Sequence, residues 1–201
     1  MTLVLDFESR ATFPSAGRNG TRPVVIGFEQ PSDFLARERL LDQAFGVARF
    51  DKTVEKLRAG RLPARGLALT ANRGDSLVGT VRLWHVQAGG GPALLLGPLA
   101  VAEACRSQGI GRALMEEALD RAASIGHAAI LLVGDPAYYE PFGFSRRHTQ
   151  RLFLPGPVDE ARCLGLELKE GALKEASGMV TASGAREFFP AQSEIAVRRA
   201  A

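Results

Sequence analysis

The sequence predicts an α+β domain on a mixed, mostly antiparallel sheet with flanking helices. Two observations carry this. Residues 66–71 and 76–86 are β-rich and separated by Asn72-Arg-Gly-Asp75, which reads as a hairpin. They feed a strand–loop–helix unit, in which the apolar run 93–101 leads through Arg106-Ser-Gln-Gly-Ile-Gly-Arg112 into the helical run 112–123.

Before the hairpin, residues 1–22 are turn-rich and read as an arm or loop. Val24-Val-Ile-Gly-Phe28 is a candidate first strand. Ser32 or Asp33 is placed to cap a helix carrying Phe34, Leu35, Leu40, Leu41 and Phe45. A second short helix is expected over 52–59, ended by Gly60 with Pro63 beyond. After the central loop, Ile110, Ala113, Leu114, Ala118, Ala122 and Ile125 fall on one helix face, which should pack on the sheet. Gly126 ends that helix, and His127-Ala-Ala-Ile-Leu-Leu-Val133 reads as a buried strand parallel to the preceding one. From 155 to 201 the pattern is less regular and reads as an extension of the same domain. Strand character is expected at 164–168 and an edge strand at 184–190, while 171–176 fits no single pattern. The pairs Phe153-Leu154 and Phe188-Phe189 suit a core or a homodimer interface.

Composition narrows the class. With 201 residues, 46% hydrophobic and 23% charged, the chain suits one soluble domain, 1–201. A net charge of +3 is too mild to call for a nucleic-acid partner, and Arg146-Arg147 and Arg198-Arg199 read as solvated surface. Cys105 and Cys163 make no disulfide framework; Cys105 reads as a small buried residue closing a strand. The acidic, interrupted start is unlike a signal peptide, and no apolar stretch reaches the ~20 residues that span a bilayer. The expected location is the cytoplasm, with no membrane partner. No metal-ligand spacing stands out.

The segment 106–112 carries the most chemistry. A strand, a glycine-bearing turn and a helix start present unpaired backbone N–H groups to an anion. Gly109 and Gly111 let the backbone approach a phosphate closely, and Arg106 and Arg112 add planar, bidentate charge on either side. A nucleoside-triphosphate loop would need Gly-Lys-Ser/Thr, and here Gly111 is followed by Arg-Ala. A dinucleotide fingerprint fits better, but its third glycine falls on Leu114 and the site lies mid-chain.

The remaining match, Arg/Gln-x-x-Gly-x-Gly/Ala at Arg106, Gly109 and Gly111, resembles the GNAT superfamily of N-acetyltransferases. A second motif, Tyr139-Glu-Pro-Phe-Gly-Phe144, is similar to that family's closing Tyr-x-x-x-Gly-Phe. Gly134-Asp-Pro-Ala-Tyr stands where the usual member has an Asn-led helix of two turns. With Leu-Gly-Pro-Leu-Ala-Val upstream, this shortened form resembles the YhbS-like bacterial subgroup. The resemblance implies a GNAT-like sheet with a splayed central strand pair and acetyl-CoA as cosubstrate. Its pyrophosphate would lie against Arg106, Ser107, Gln108, Gly109, Ile110, Gly111 and Arg112. Its pantetheine arm would pair with Leu99 and Val101, which a bulge at Gly97-Pro98 would leave free.

The resemblance also implies the reaction. A neutral primary amine on a small molecule or peptide attacks the thioester directly, through a tetrahedral intermediate. Tyr139 protonates the leaving thiolate, and the Leu99 N–H can meet the oxyanion. The acid that such a family often carries on the strand before the loop is absent from 93–101. His85 and Glu103 are titratable neighbours without a positional match, so the base stays unassigned. Two other readings stay open: an acyl-CoA-binding module without turnover, and a nicotinamide dehydrogenase.

Overall fold

The computed structural model describes residues 11–13 and 22–187. Its strands are β1 (Ala11–Phe13), β2 (Val24–Phe28), β3 (Ala68–Arg73), β4 (Ser76–Ala88), β5 (Gly91–Val101), β6 (Ala129–Val133), β7 (Leu152–Phe153), β8 (Cys163–Glu167) and β9 (Gly178–Ala182). Its α-helices are α1 (Phe34–Phe45), α2 (Ile110–Ser124) and α3 (Pro136–Tyr139). The sheet runs β1-β2-β3-β4-β5-β6-β8, with β9 pairing with both β4 and β7. Within that row every pair is antiparallel except β5 with β6, which α2 connects. A parallel pair needs such a crossover, and this one supplies it.

The hairpin is tighter than the sequence suggests. Asn72 and Arg73 read as turn residues, yet they pair with Leu77 and Ser76, leaving Gly74-Asp75 as a two-residue turn. β4 is 13 residues long and β3 only six. The last residues of β4 would therefore expose a pairing edge, and β9 covers it by pairing Val86 with Ala182 and Ala88 with Val180. The sequence reading assigns no strand at 178–182. Its edge strand at 184–190 reduces to a bridge between Arg61 and Arg186, and residues from 188 on, Phe188-Phe189 among them, lie outside the described residues.

Alternation sends the sheet's side chains into two cores. Val81, Leu83, Leu94, Leu96, Ile130 and Leu132 meet Leu114, Met115, Ala118 and Ala122 of α2. Trp84, Val86, Leu95 and Leu131 face the opposite way, toward Leu57, Leu152, Leu154 and Leu173. Covered on both faces, β6 needs its continuous Ala-Ile-Leu-Leu run. Met115, rather than Ile125, completes the buried stripe of α2. The helix ends at Ser124, which leaves Ile125 54% exposed. Other corrections are local. Residues 47–51 and 53–57 form 3-10 turns where one helix over 52–59 is expected, and Ala11–Phe13 is an edge strand within the expected arm. Leu154 is core, while Phe153 is 57% exposed.

α1 is attached by a small apolar cluster and by buried charge. Only Leu40, Leu41 and Ala100 form its small buried cluster, and Phe34 and Leu35 stay exposed. Beside that cluster Arg37 is 3% exposed, and it pairs with Glu29 and Glu38. Glu29, at the end of β2, also takes both Arg82 Nε (2.7 Å) and Arg82 Nη2 from the middle of β4. One buried carboxylate thus links helix to sheet through two guanidiniums. Removing it leaves Arg82 without a carboxylate and buried Arg37 with Glu38 alone, the expensive way to break an ion pair. Glu29→Ala should therefore lower unfolding free energy by about 3 kcal/mol in urea titration, well beyond an ordinary surface substitution.

Candidate active site

The site begins with a miscount between two strands. Leu96 lies opposite Leu83 and Leu99 opposite Val81, so Gly97 and Pro98 together face the single residue Arg82. Two residues against one is a β-bulge. The Gly97–Pro98 peptide is cis, Gly97 has φ 120°, and its carbonyl accepts a 2.8 Å bond from Trp84 Nε1. The extra residue also shifts parity. Leu94 and Leu96 before the bulge, and Leu99 and Val101 after it, all face the α2 core.

On its other edge β5 pairs with β6 only at Leu94↔Ile130 and Leu95↔Leu131. Past the bulge the two strands have no registered partners, and a gap opens between them. The Ala102 N–H donates to the Val78 carbonyl at 2.9 Å, which puts Ala102 among the residues bonded toward β4. Alternation then turns the main-chain groups of Ala100 toward β4 and those of Val101 and Leu99 into the gap. The Val101 carbonyl is reached from that side by Arg106 Nε at 3.5 Å.

The loop after β5 closes one end of the gap. A 3-10 turn, Glu103–Cys105, precedes it, and α2 starts behind Gly109 in the left-handed conformation (φ 79°). Ser107 is also left-handed, at φ 59°. Gly109 has no side chain to cap the helix, so the N–H groups of its first turn face a cleft of about 410 Å³. Leu99, Val101, Arg106, Ser107, Gly109, Ile110, Gly111 and Arg112 all line it, together with Tyr138. Gln108 instead braces the loop: it accepts from Arg73 Nη2 at 2.6 Å and donates to the Ala104 carbonyl at 3.1 Å. A Cβ at Gly111 would lie 2.7 Å from the Tyr138 hydroxyl, so the absent side chain is what lets that phenol lie across the helix start. Cys105 is buried as expected, with Arg73 Nη1 3.5 Å from its sulfur.

A second cleft, of about 310 Å³, occupies the gap itself, between Leu96–Leu99 of β5 and Val133–Asp135 beyond β6. Tyr139 lines it, and Tyr138 and Leu99 belong to both clefts. The connection that carries the tyrosines is one helical turn, capped by Asp135 Oδ1 accepting from Ala137 N at 3.1 Å, and Gly143 (φ 89°) ends the turn after it. The Tyr139 ring packs on Gly134 so closely that a Cβ there would stand 2.1 Å from Cε2. A third cleft, of about 260 Å³, continues past Pro98 over Arg37, Glu38, Arg82 and Trp84. His85 lines none of the three; its ring sits 5.4 Å from that of His127. Glu103 is exposed on the turn after β5.

Comparison with known proteins agrees with this geometry. The acetyltransferase (GNAT) family matches residues 35–144. The chain belongs to the GNAT family. It is 34% identical over 159 residues to the uncharacterised N-acetyltransferase YhbS of Escherichia coli K12, a match over 78% of this chain and 95% of that one. The crystal structure of E. coli YhbS in complex with CoA superposes with TM-score 0.70 at 31% identity, over 83% of this chain and 93% of that one. A GNAT acetyltransferase from Brucella melitensis in complex with acetyl-CoA shares the fold, with TM-score 0.61 at 24% identity over 80% and 96%. As a GNAT acyltransferase the chain has the mixed, mostly antiparallel sheet that the sequence predicts. Among the described residues no helix is long and apolar enough to cross a membrane.

Three features of this GNAT site escape the sequence. Tyr138 falls outside the motif match there, which by spacing lands on Tyr139, yet it is 41% exposed and joins the two clefts. Arg49 and Arg58 come from the early turns, and Arg162 from the turn before β8, to line the 310 Å³ cleft. Long-range placement alone brings these together, and no local motif marks them. The phenols are also shifted. Burial, with Tyr138 alongside, pushes Tyr139 up to about 12 against a smaller opposing pull from Arg162. Burial raises Tyr138 too, opposed by Arg112. A folded pKa above the unfolded value of about 10 means the native state holds the proton longer, so stability should fall as pH rises from about 10 to about 12. In spectrophotometric titration neither of the two tyrosines should ionise at the ordinary value, and Tyr139 should ionise last.

Proposed function

We propose that the chain is an N-acetyltransferase moving the acetyl group of acetyl-CoA to a primary amine by direct attack on the thioester. The observation that carries this is the open edge of β5. Leu99 and Val101 point main-chain groups into a gap that runs from the cleft at the helix start to a partly buried tyrosine. Acetyl-CoA is the cosubstrate, and the residues present suit it. The first-turn N–H groups of α2, Arg106 and Arg112 take the pyrophosphate, with Gly109 and Gly111 keeping the approach clear. The pantetheine amides add to the free edge of β5 as another strand would.

On this reading the thioester carbonyl lies at the bulge, where the Leu99 N–H faces the gap and can stabilise the developing oxyanion. Tyr139 is the acid. A phenol held at about 12 is protonated at every working pH, and its cleft contains the same residues, Leu96 to Leu99. Tyr138, over Gly111, covers the cofactor arm. The amine enters from the third cleft, past Pro98, which touches both it and the reaction cleft. As the family resemblance suggests, the fold works as one domain, and we place it in the cytoplasm.

Calorimetric titration with acetyl-CoA, with NADH as control, tests the reading. Acetyl-CoA should bind and NADH should not. Gly111→Trp should abolish binding by filling the cleft and displacing Tyr138. Tyr139→Phe should leave binding intact and slow CoA release to a broad amine panel by about a hundredfold. Tyr138→Phe should weaken binding more than turnover. No acetyl-CoA binding, or full turnover in Tyr139→Phe, would reject the cofactor site or the acid respectively.

A further inference from the structure

The charges around the reaction cleft are lopsided. Arg49, Lys52, Arg58 and Arg162 line it against a single carboxylate, Asp135, which is engaged as the cap of α3. Arg49 is paired with Glu38 and Asp42, and Arg58 with Glu55. Glu38 and Glu55, however, line the neighbouring 260 Å³ cleft and not this one, so the guanidiniums stand between their partners and the reacting centre.

Two cations in the cleft lack even that compensation. Among the described residues the Arg162 guanidinium makes no hydrogen bond or ion pair, although its backbone is fixed: its carbonyl accepts from Gly134 N at 2.9 Å, directly beside the tyrosine turn. The Lys52 ammonium lies 4.8 Å from the centroid of the Phe45 ring and has no carboxylate partner among the described residues. A cavity with this balance repels an acceptor whose only charge is its ammonium. It favours an acceptor whose amine is neutral and whose remaining charge is negative.

We propose that the acceptor is a primary amine carrying an anionic group, a carboxylate or a phosphate, and that Lys52 and Arg162 bind that group beside the thioester. This rests on the acetyltransferase reading above and narrows its substrate class. Arginine suits either anion, since its fork bonds a carboxylate or a phosphate bidentately. The same cations disfavour the ammonium form of the bound amine. They thereby lessen the need for the strand carboxylate that this chain lacks.

The test uses matched pairs with the full chain and saturating acetyl-CoA. Phenylalanine is compared with phenylalaninamide, and phosphoethanolamine with ethanolamine, at equal concentrations of unprotonated amine. Release of CoA thiol is the readout, and acetyl-CoA binding is followed separately by calorimetry. The anionic member of at least one pair should be preferred by about tenfold or more in kcat/KM, and which pair responds tells carboxylate from phosphate. Lys52→Gln/Arg162→Gln should bring that ratio toward one by raising KM for the anionic amine, with acetyl-CoA affinity within about twofold of the parent. Neutral members used as well as anionic ones, a preference that survives the double substitution, or no turnover of any anionic amine would overturn the proposal. In those cases acetyl-CoA binding still leaves the acetyltransferase reading standing, whereas loss of acetyl-CoA binding in the parent protein overturns both.

Discussion

One extra residue in β5 holds the site together. Gly97 and Pro98 share Arg82 as their partner, and past Leu95 β5 has no registered partner in β6. The bulge bends β5 away, frees the edge at Leu99 and Val101, and restores side-chain parity, so the same apolar face meets α2 on either side of it. Each neighbour supports this geometry. Trp84 bonds the Gly97 carbonyl, and the short capped turn at Asp135 sets Tyr139 across the opening. Opening a sheet in its middle would ordinarily leave main-chain groups without partners, which is costly unless water or a ligand meets them. Under the proposed reading, the pantetheine amides meet those groups.

The three clefts form a line because they share walls. Leu99 and Tyr138 belong to the 410 Å³ and 310 Å³ clefts, and Arg49, Arg58 and Pro98 to the 310 Å³ and 260 Å³ clefts. Under the proposed acetyltransferase reading, a polyanion at one end, a thioester at the bulge and an amine at the other end would meet in sequence along one surface. Charge is graded along that line. Exposed arginines flank the helix start, cations dominate the centre, and mixed pairs fill the far end.

What the sequence discloses follows from how local each feature is. The 106–112 loop, the Gly97-Pro98 interruption and the Tyr139 motif are short, contiguous patterns with a physical meaning of their own, and at those positions stand a helix start, a bulge and a cleft-lining phenol. β6 is legible because a strand covered on both faces must be apolar throughout. β9 is not: Gly178-Met-Val-Thr-Ala182 is a strand because β4 outruns β3 and needs an edge partner, a fact about the length of another element. The fate of Ile125 depended on where α2 ends, and that of Asn72 on a tighter turn than its residue type suggests. Tyr138, Lys52 and Arg162 enter the cleft from separated segments, so nothing near them in the chain announces a shared role.

The carboxylate of Glu29 has an implication for how such a chain can diversify. It fastens α1 to the sheet through Arg37 and Arg82, and those arginines also floor the far cleft. Residues that secure the scaffold therefore also line one of the three clefts. A lineage drifting toward a new acceptor would find this floor nearly immovable, since each change there also loosens a helix. Divergence is channelled instead to exposed positions on the rim, Lys52 and Arg162 among them, where substitution leaves the framework untouched.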